Sequence, residues 1–333
     1  MTYKVLEFYA GIGGLGYGWS TSTCGPTAGH VSDAFDVNAN ANRVHAFNTT
    51  ENNCHVSDRD ISRLTTADLD ALAADAWLLS PPCQPYSRQG LRRGATDARA
   101  YSLLGMLDAL PEMQRPPRYL LLENVLGFER DVAFARLAAT LTAGGYHVAP
   151  LVVNSQQLGI PNSRPRFFMV ARLVDTQWLV DRYRPSPLAT SNTIAAYLRP
   201  DAARARAADL AMPLVHLWRQ RSDQYDPVWP SGTRTCCFTK AYGTGRPQGA
   251  GSVLVTPETD AWAEADLPAC PLSRFGLRFF APEEMAAMHG FPATFTFPDD
   301  ISTRQGWRLV GNSLNVAVVA MLVDFMLDDK PLY

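Results

Sequence analysis

The sequence predicts an α/β fold with a doubly wound, mostly parallel sheet, and three observations carry that prediction. Apolar runs at 3–9, 76–79 and 119–122 are short, lack alternation and end in turn signals, as strands buried on both faces do. Helical stretches separate them. A glycine-rich segment follows the first run, and chemically reactive side chains follow the other two. In open α/β sheets that carboxyl edge is where ligands bind.

The first strand, 3–9, runs into Ala10-Gly11-Ile12-Gly13-Gly14-Leu15-Gly16, where glycines let the backbone approach a ligand before a helix starts. Gly11, Gly13 and Gly16 satisfy G-x-G-x-x-G, a weak signal alone that the strand and helix context narrows to a nucleotide-like cofactor. A second strand at 30–36 ends in Asp36, placed to accept from ribose hydroxyls. Asp36 would serve NAD or S-adenosylmethionine equally, and its competing reading is an N-cap for a helix at 39–47. Asp60, ahead of Ile61, is a second acid at a strand end.

The run 76–79 is stopped by Ser80-Pro81-Pro82, and the first side chain after the stop is Cys83. A thiol held there by a rigid turn is poised as a nucleophile, against the bland alternative of a buried structural cysteine. Residues 84–100 follow as a loop carrying Arg88, Arg92, Arg93 and Arg99, which suit an anionic substrate or a solvated charge run. A helix at 101–110 and the break Pro116-Pro117 lead to the strand at 119–122, which ends in Glu123-Asn124-Val125. A carboxylate at that edge needs a partner or a raised pKa.

A helix at 131–143 and a strand at 146–154 extend the pattern. Arg164 and Arg166 then flank Pro165 at the head of another apolar strand, sharing a face from which two guanidiniums could clamp a carboxylate, a phosphate or a base carbonyl. From 173 to 275 periodicity fades. Residues 234–245 interleave Cys236, Cys237, Phe238, Thr239, Lys240 and Tyr242 with glycines, a mixture suited to an extruded base. Near the carboxyl end, Asn312 and Ser313 are expected at the start of a long apolar helix reaching Met326.

Composition narrows the function classes. Net charge is −2, which argues against a protein coated for nucleic acid. Only Lys4, Lys240 and Lys330 are lysines, a bias toward arginine that phosphate recognition or a GC-rich genome would each produce. Six cysteines without C-x-x-C spacing signal neither zinc nor a disulfide framework. Neither a membrane span nor a signal peptide is read, so an intracellular protein is expected.

Taken in order, Phe8-Tyr9-Ala10-Gly11-Ile12-Gly13-Gly14, Pro81-Pro82-Cys83-Gln84, Glu123-Asn124-Val125, Arg164-Pro165-Arg166 and Gly311-Asn312-Ser313-Leu314 resemble the motifs of the cytosine carbon-5 methyltransferases. Order and spacing agree over nearly the whole chain. The sequence is most similar to the branch acting on tRNA, through Leu6-Glu7-Phe8-Tyr9, Cys237-Phe238-Thr239 and Lys240-Ala241-Tyr242-Gly243. The resemblance implies a Rossmann-like S-adenosylmethionine-dependent methyltransferase fold with a smaller target-recognition domain. The expected boundaries are 1–172 catalytic, 173–290 target recognition, and 291–333 returning to the catalytic domain.

The same resemblance implies site roles. Cys83 adds to carbon 6 of cytosine, Glu123 bonds ring nitrogen 3, Arg166 holds the base carbonyl, and Arg164 lowers the thiol pKa or holds the phosphate. The cofactor is expected against Tyr9, Ala10, Gly11, Ile12, Gly13, Gly14, Leu15, Asp36, Val37, Asp60, Ile61 and Pro81, with Asn312, Ser313 and Leu314 closing the pocket. RNA contacts are expected from Arg88, Arg92, Arg93, Cys237, Phe238, Thr239, Lys240 and Arg246. The implied partner is tRNA, at cytosine 38 of tRNA-Asp, with DNA second, no membrane, a monomeric state, and a cytoplasmic or also nuclear location. The alternatives weighed are a DNA methyltransferase, a non-catalytic nucleic-acid-binding relic and an NAD-dependent oxidoreductase.

Overall fold

The computed structural model describes residues 2–49, 54–82, 101–173, 191–211, 225–244, 249–256 and 276–328. Two compact units divide the chain: residues 1–154, 165–187 and 316–333 form one, and residues 155–164 with 188–315 form the other.

The first unit is built on a seven-stranded sheet. Its strands are β1 Tyr3–Phe8, β2 Gly29–Phe35, β3 His55–Ser57, β4 Ala76–Leu79, β5 Tyr119–Asn124, β6 Tyr146–Asn154 and β7 Pro165–Leu173, in the order β3-β2-β1-β4-β5-β7-β6. Strands β1 to β5 pair in parallel, while β7 runs antiparallel between β5 and β6. Every residue of β4 and β5 is buried, which is why those strands show no polar alternation.

Successive side chains of a strand point to opposite faces. Leu6, Phe8, Trp77, Leu79, Leu120 and Leu122 therefore share one core, closed by Leu103, Met106 and Leu107 of the helix Tyr101–Ala109 and by Leu137 and Leu141 of the helix Val132–Ala143. The helices of this unit are α1 Gly14–Thr21, α2 Gly25–Ala28, α3 Ala39–Asn48, α4 Thr66–Leu72, α5 Tyr101–Ala109 and α6 Val132–Ala143, with a last helix Val316–Leu327. That last helix packs on α1, β5 and β7. Gly18 makes the approach possible, because a Cβ there would meet Val319 at 2.2 Å. Helix starts follow the capping rules: Asn38 caps α3, Thr65 and Asp68 form a capping box on α4, and Asp131 caps α6.

The second unit holds a three-stranded sheet of β8 Pro227–Val228, β9 Val253–Thr256 and β10 Gly276–Arg278. Short helices at Pro200–Ala205, Ala207–Leu210, Pro282–Met288 and Thr303–Asn312 surround it. Its core is aromatic: Phe238, Tyr242, Phe279, Phe280 and Trp307 stack edge to face or tilted at centroid separations of 5.1–5.5 Å. The Tyr242 hydroxyl donates to the Ser252 carbonyl at 2.7 Å and accepts from the Phe280 amide at 2.9 Å.

Two expectations change here. The chain returns to the first unit at Val316, not at 291, because Trp307 belongs to the aromatic core and Gly306 seats the helix Thr303–Asn312 on Pro282. The stretch 303–327 is two helices, Thr303–Asn312 and Val316–Leu327, interrupted where Ser313 adopts extended backbone. Asn312 thus ends one helix and does not start another. Among the described residues that interrupted stretch is the only one whose length and hydropathy pass for a membrane span, and it is mostly buried inside the protein.

Candidate active site

The sheet order reverses beside β1, and the carboxyl ends of β1 and β4 meet at that point. Tyr9, Gly11 and Gly13 adopt left-handed backbone with φ of 58°, 55° and 86°, turning the chain sharply into α1. The turn is closed by the Ala10 amide on the Phe35 carbonyl at 3.0 Å and by the Gly13 amide on the Ala10 carbonyl at 2.8 Å. Ile12 and Leu15 are buried, and Gly14 opens the helix.

Asp36, one residue past β2, ties this turn to the next strand. One carboxylate oxygen accepts from the Gly11 amide at 2.8 Å and the other from the Asn38 amide at 2.8 Å. Burial pushes the Asp36 carboxyl up, and those two amides act against the shift. Val37 beside it is 68% exposed, a large apolar side chain presented outward next to the turn. Asp60 accepts from the Ser62 hydroxyl at 2.7 Å and the Ser62 amide at 2.9 Å, bonds that hold its carboxyl below the usual range. Ile61 is buried behind it, Pro81 is buried after β4, and the Tyr9 hydroxyl donates to Ser102 at 2.9 Å.

Glu7, which the sequence offers only as part of the Leu6-Glu7-Phe8-Tyr9 resemblance, and His45, which it does not offer, lie beneath the turn. Glu7 is completely buried, and its Oε1 accepts from the Leu15 amide at 3.0 Å at the start of α1. Burial pushes its carboxyl up to about 8. His45 from α3 places Nε2 4.0 Å from Glu7 Oε2, and burial lowers it to about 4. Both groups are therefore neutral at pH 7, so proximity here is not an ion pair. A Cβ at Gly13 would meet His45 Nε2 at 2.6 Å, and one at Gly16 would meet Glu7 Oε2 at 2.8 Å. These clashes explain two of the three motif glycines. The available signal was a single acid inside the apolar run Val5-Leu6-Glu7-Phe8.

At the next strand end, Glu123 is 7% exposed and held from two sides. Arg166 Nε, from the second residue of β7, lies 3.3 Å from Oε1. The Ser80 hydroxyl donates to Oε2 at 2.9 Å. Parallel pairing of Leu79 with Leu122 places Ser80 beside Glu123 as the next pair. Asn124 donates to the Pro81 carbonyl at 3.3 Å, fastening the diproline turn to β5. The expected partner for Glu123 is thus present, and it is Arg166. Cys83 follows Pro82 directly but lies outside the described residues, as do Arg88, Arg92, Arg93 and Arg246.

Arg164 makes its described hydrogen bonds within the second unit. It precedes β7, is buried, and belongs to the second unit. Its guanidinium donates to the Phe238 carbonyl at 2.7 Å, to the Gly311 carbonyl at 3.2 Å, to the Ser313 carbonyl and to Cys237 Sγ at 3.2 Å. The fork therefore organises the backbone of 237–238 and 311–313. Gly311 is needed beside it, since a Cβ would meet the Thr239 carbonyl carbon at 2.3 Å. Leu314 is buried, Ser313 half-buried and Asn312 exposed.

The expected RNA contact at Phe238 is corrected by its burial. It is fully inside the aromatic core, where it cannot stack on a base. Cys237 and Thr239 are half-buried, and Lys240 alone of this group is exposed.

A doubly wound sheet with a glycine turn bound to an acid at one strand end, and a carboxyl held by an arginine at another, defines an α/β protein of the nucleotide-cofactor class. The chain belongs to the C-5 cytosine-specific DNA methylase family, which matches residues 3–327. It is 34% identical to the tRNA (cytosine(38)-C(5))-methyltransferase of Mus musculus, with 96% of this chain and 92% of the relative covered. It is 32% identical to the enzyme of the same name from Schizosaccharomyces pombe, over 98% of this chain and 97% of that one. The crystal structure of the S. pombe Dnmt2 methyltransferase is similar with a TM-score of 0.82 at 30% identity, covering 98% of both chains.

Proposed function

We propose that this protein transfers a methyl group to carbon 5 of a cytosine in a tRNA anticodon loop, at position 38 of tRNA-Asp. The observation that carries the reading is Glu123 held between Arg166 and Ser80 at the carboxyl edge, in a chain similar to enzymes named for that tRNA reaction. The proposed assignment is a monomer working in the cytoplasm, and also in the nucleus, with the second unit recognising the target.

The residues fit S-adenosylmethionine as the cofactor. Among the described residues, a Cβ at Gly11 would meet nothing within 4 Å, and Asp36 beside it retains lone pairs for ribose hydroxyls. Tyr9, Ala10, Gly13, Val37, Asp60 and Pro81 complete the proposed seat. When bound, that cofactor supplies the electrophilic methyl group.

The chain's own residues activate the base. Carbon 5 of cytosine is a poor nucleophile until a thiolate adds to carbon 6 and turns the ring into an enamine, the role proposed for Cys83. Negative charge grows at ring nitrogen 3 during that addition. A proton on Glu123 bonded there offsets it, and Arg166 holds the base carbonyl oxygen. After methylation, the carbon-5 proton passes to solvent, its electron pair re-forms the carbon 5–carbon 6 double bond, the Cys83 sulfur leaves as thiolate, and the nitrogen-3 proton returns to Glu123. The cytosine has to leave its stack to be reached, which costs less from a single-stranded loop than from a duplex.

Labelled S-adenosylmethionine incubated with total tRNA and, separately, with duplex DNA tests the reading. Label in tRNA that Cys83→Ala abolishes is the expected result. Label confined to DNA keeps the chemistry and removes the RNA assignment, and label in neither contradicts the proposal.

A further inference from the structure

We infer that Ser80 is a positioning residue for Glu123, selecting which carboxyl oxygen carries the proton that meets the base. The inference rests on the methyltransferase reading above and deepens it. Ser80 is fixed before any substrate arrives. Its amide donates to the Phe8 carbonyl at 3.2 Å, so its backbone is locked to β1, and its side chain reaches across to β5.

A carboxyl has two chemically equivalent oxygens, and the proposed chemistry needs them to differ. One has to donate to ring nitrogen 3, and the other has to accept from the exocyclic amine. The Ser80 hydroxyl donates to Oε2 at 2.9 Å, and an oxygen accepting such a bond is the carbonyl oxygen of the protonated acid. Oε1 lies 3.3 Å from Arg166 Nε, a donor, so it becomes free to carry the proton only when Arg166 turns to the base carbonyl, while Oε2 stays the acceptor. When Arg166 engages the base carbonyl, the serine bond keeps the carboxyl plane from rotating. Alanine at 80 would leave the carboxyl free to present either oxygen, and part of the preorganisation would be lost.

The pairing of Asn124 with Pro81 gives this arrangement a second tie, from β5 back to the turn. Loss of the hydroxyl alone should therefore leave the turn in place. A serine that merely propped the turn would act on every step that depends on the fold, whereas a serine acting through Glu123 has no function once that carboxyl is gone.

The test is steady-state methylation of unmodified tRNA-Asp by wild type, Ser80→Ala, Ser80→Thr, Glu123→Gln and the Ser80→Ala/Glu123→Gln double variant. Ser80→Ala should lower kcat roughly 10-fold, with KM for tRNA and cofactor within about 2-fold. Ser80→Thr, which keeps the hydroxyl, should recover to within about 3-fold of wild type. In the Glu123→Gln background, adding Ser80→Ala should change kcat by less than about 2-fold. An undiminished loss in that background, an unrescued Ser80→Thr, or an active Ser80→Ala overturns the inference and leaves the enzyme reading standing. A wild type inactive on RNA and DNA alike overturns both.

Discussion

Glu7 Oε2 and His45 Nε2 lie 4.0 Å apart beneath the glycine turn, both completely or almost completely buried, and neither is charged at neutral pH. Burial dominates both shifts, and the nearby Asp36 charge adds to the rise at Glu7. The carboxyl stays neutral to about 8, so the turn rests on an uncharged hydrogen-bonding group.

That relationship fixes a pH dependence of stability. Between about 4.5 and about 8 the folded chain keeps a proton on Glu7 that the unfolded chain has lost, so stability falls as pH rises. His45 works in the opposite sense between about 4 and 6.5, where the unfolded chain binds a proton that the folded chain refuses. The two slopes cancel where the windows overlap. Above pH 6.5 Glu7 acts alone, and urea unfolding should show stability declining by roughly 1–2 kcal/mol toward pH 8. Glu7→Gln should flatten that decline.

Arg164 is expected to matter for the second unit's stability as well as for turnover. Arg164→Met removes the donors of the Phe238, Gly311 and Ser313 carbonyls and should cost roughly 3 kcal/mol. Arg164→Lys should recover only part of that, because an ammonium cannot reproduce the planar fork. Thermal unfolding of the three proteins measures the order.

Phe238 and Lys240 separate core from surface within one short segment. Phe238→Ala should destabilise by about 3–5 kcal/mol through the cavity it leaves among Tyr242 and Phe280. Lys240→Ala should change stability by less than about 0.5 kcal/mol while weakening tRNA binding and lowering its salt slope by about 1. Unfolding and filter-binding titrations at several salt concentrations distinguish the two.

The central strands were readable because parallel strands buried on both faces produce uninterrupted runs such as Ala76–Leu79. Glu123 at a strand end and the glycines after β1 were readable for the same reason, since strand ends locate the ligand edge. Ser80 was not, because its meeting with Glu123 depends on which strand neighbours which, and sequence spacing alone does not order a sheet. Asn312 and Ser313 precede the apolar run Val316–Leu327 and so resemble its start, but the helix capped by Ser302 extends to Asn312 and ends there. Phe238 sits between polar neighbours in sequence, yet Gly243 and Gly251 let Trp307 and the aromatic rings close over that segment. Arg164 and Arg166 look alike two residues apart, and only the beginning of β7 between them sends one to backbone carbonyls and the other to Glu123.

The most direct measurement is to locate the methylated base. Bisulfite sequencing of unmodified tRNA and of duplex DNA, each treated with enzyme and S-adenosylmethionine, reports every 5-methylcytosine by position. The account predicts a single protected cytosine, position 38 of tRNA-Asp, absent with Cys83→Ala. Protection in duplex DNA with none in tRNA, or protection that survives Cys83→Ala, would contradict it.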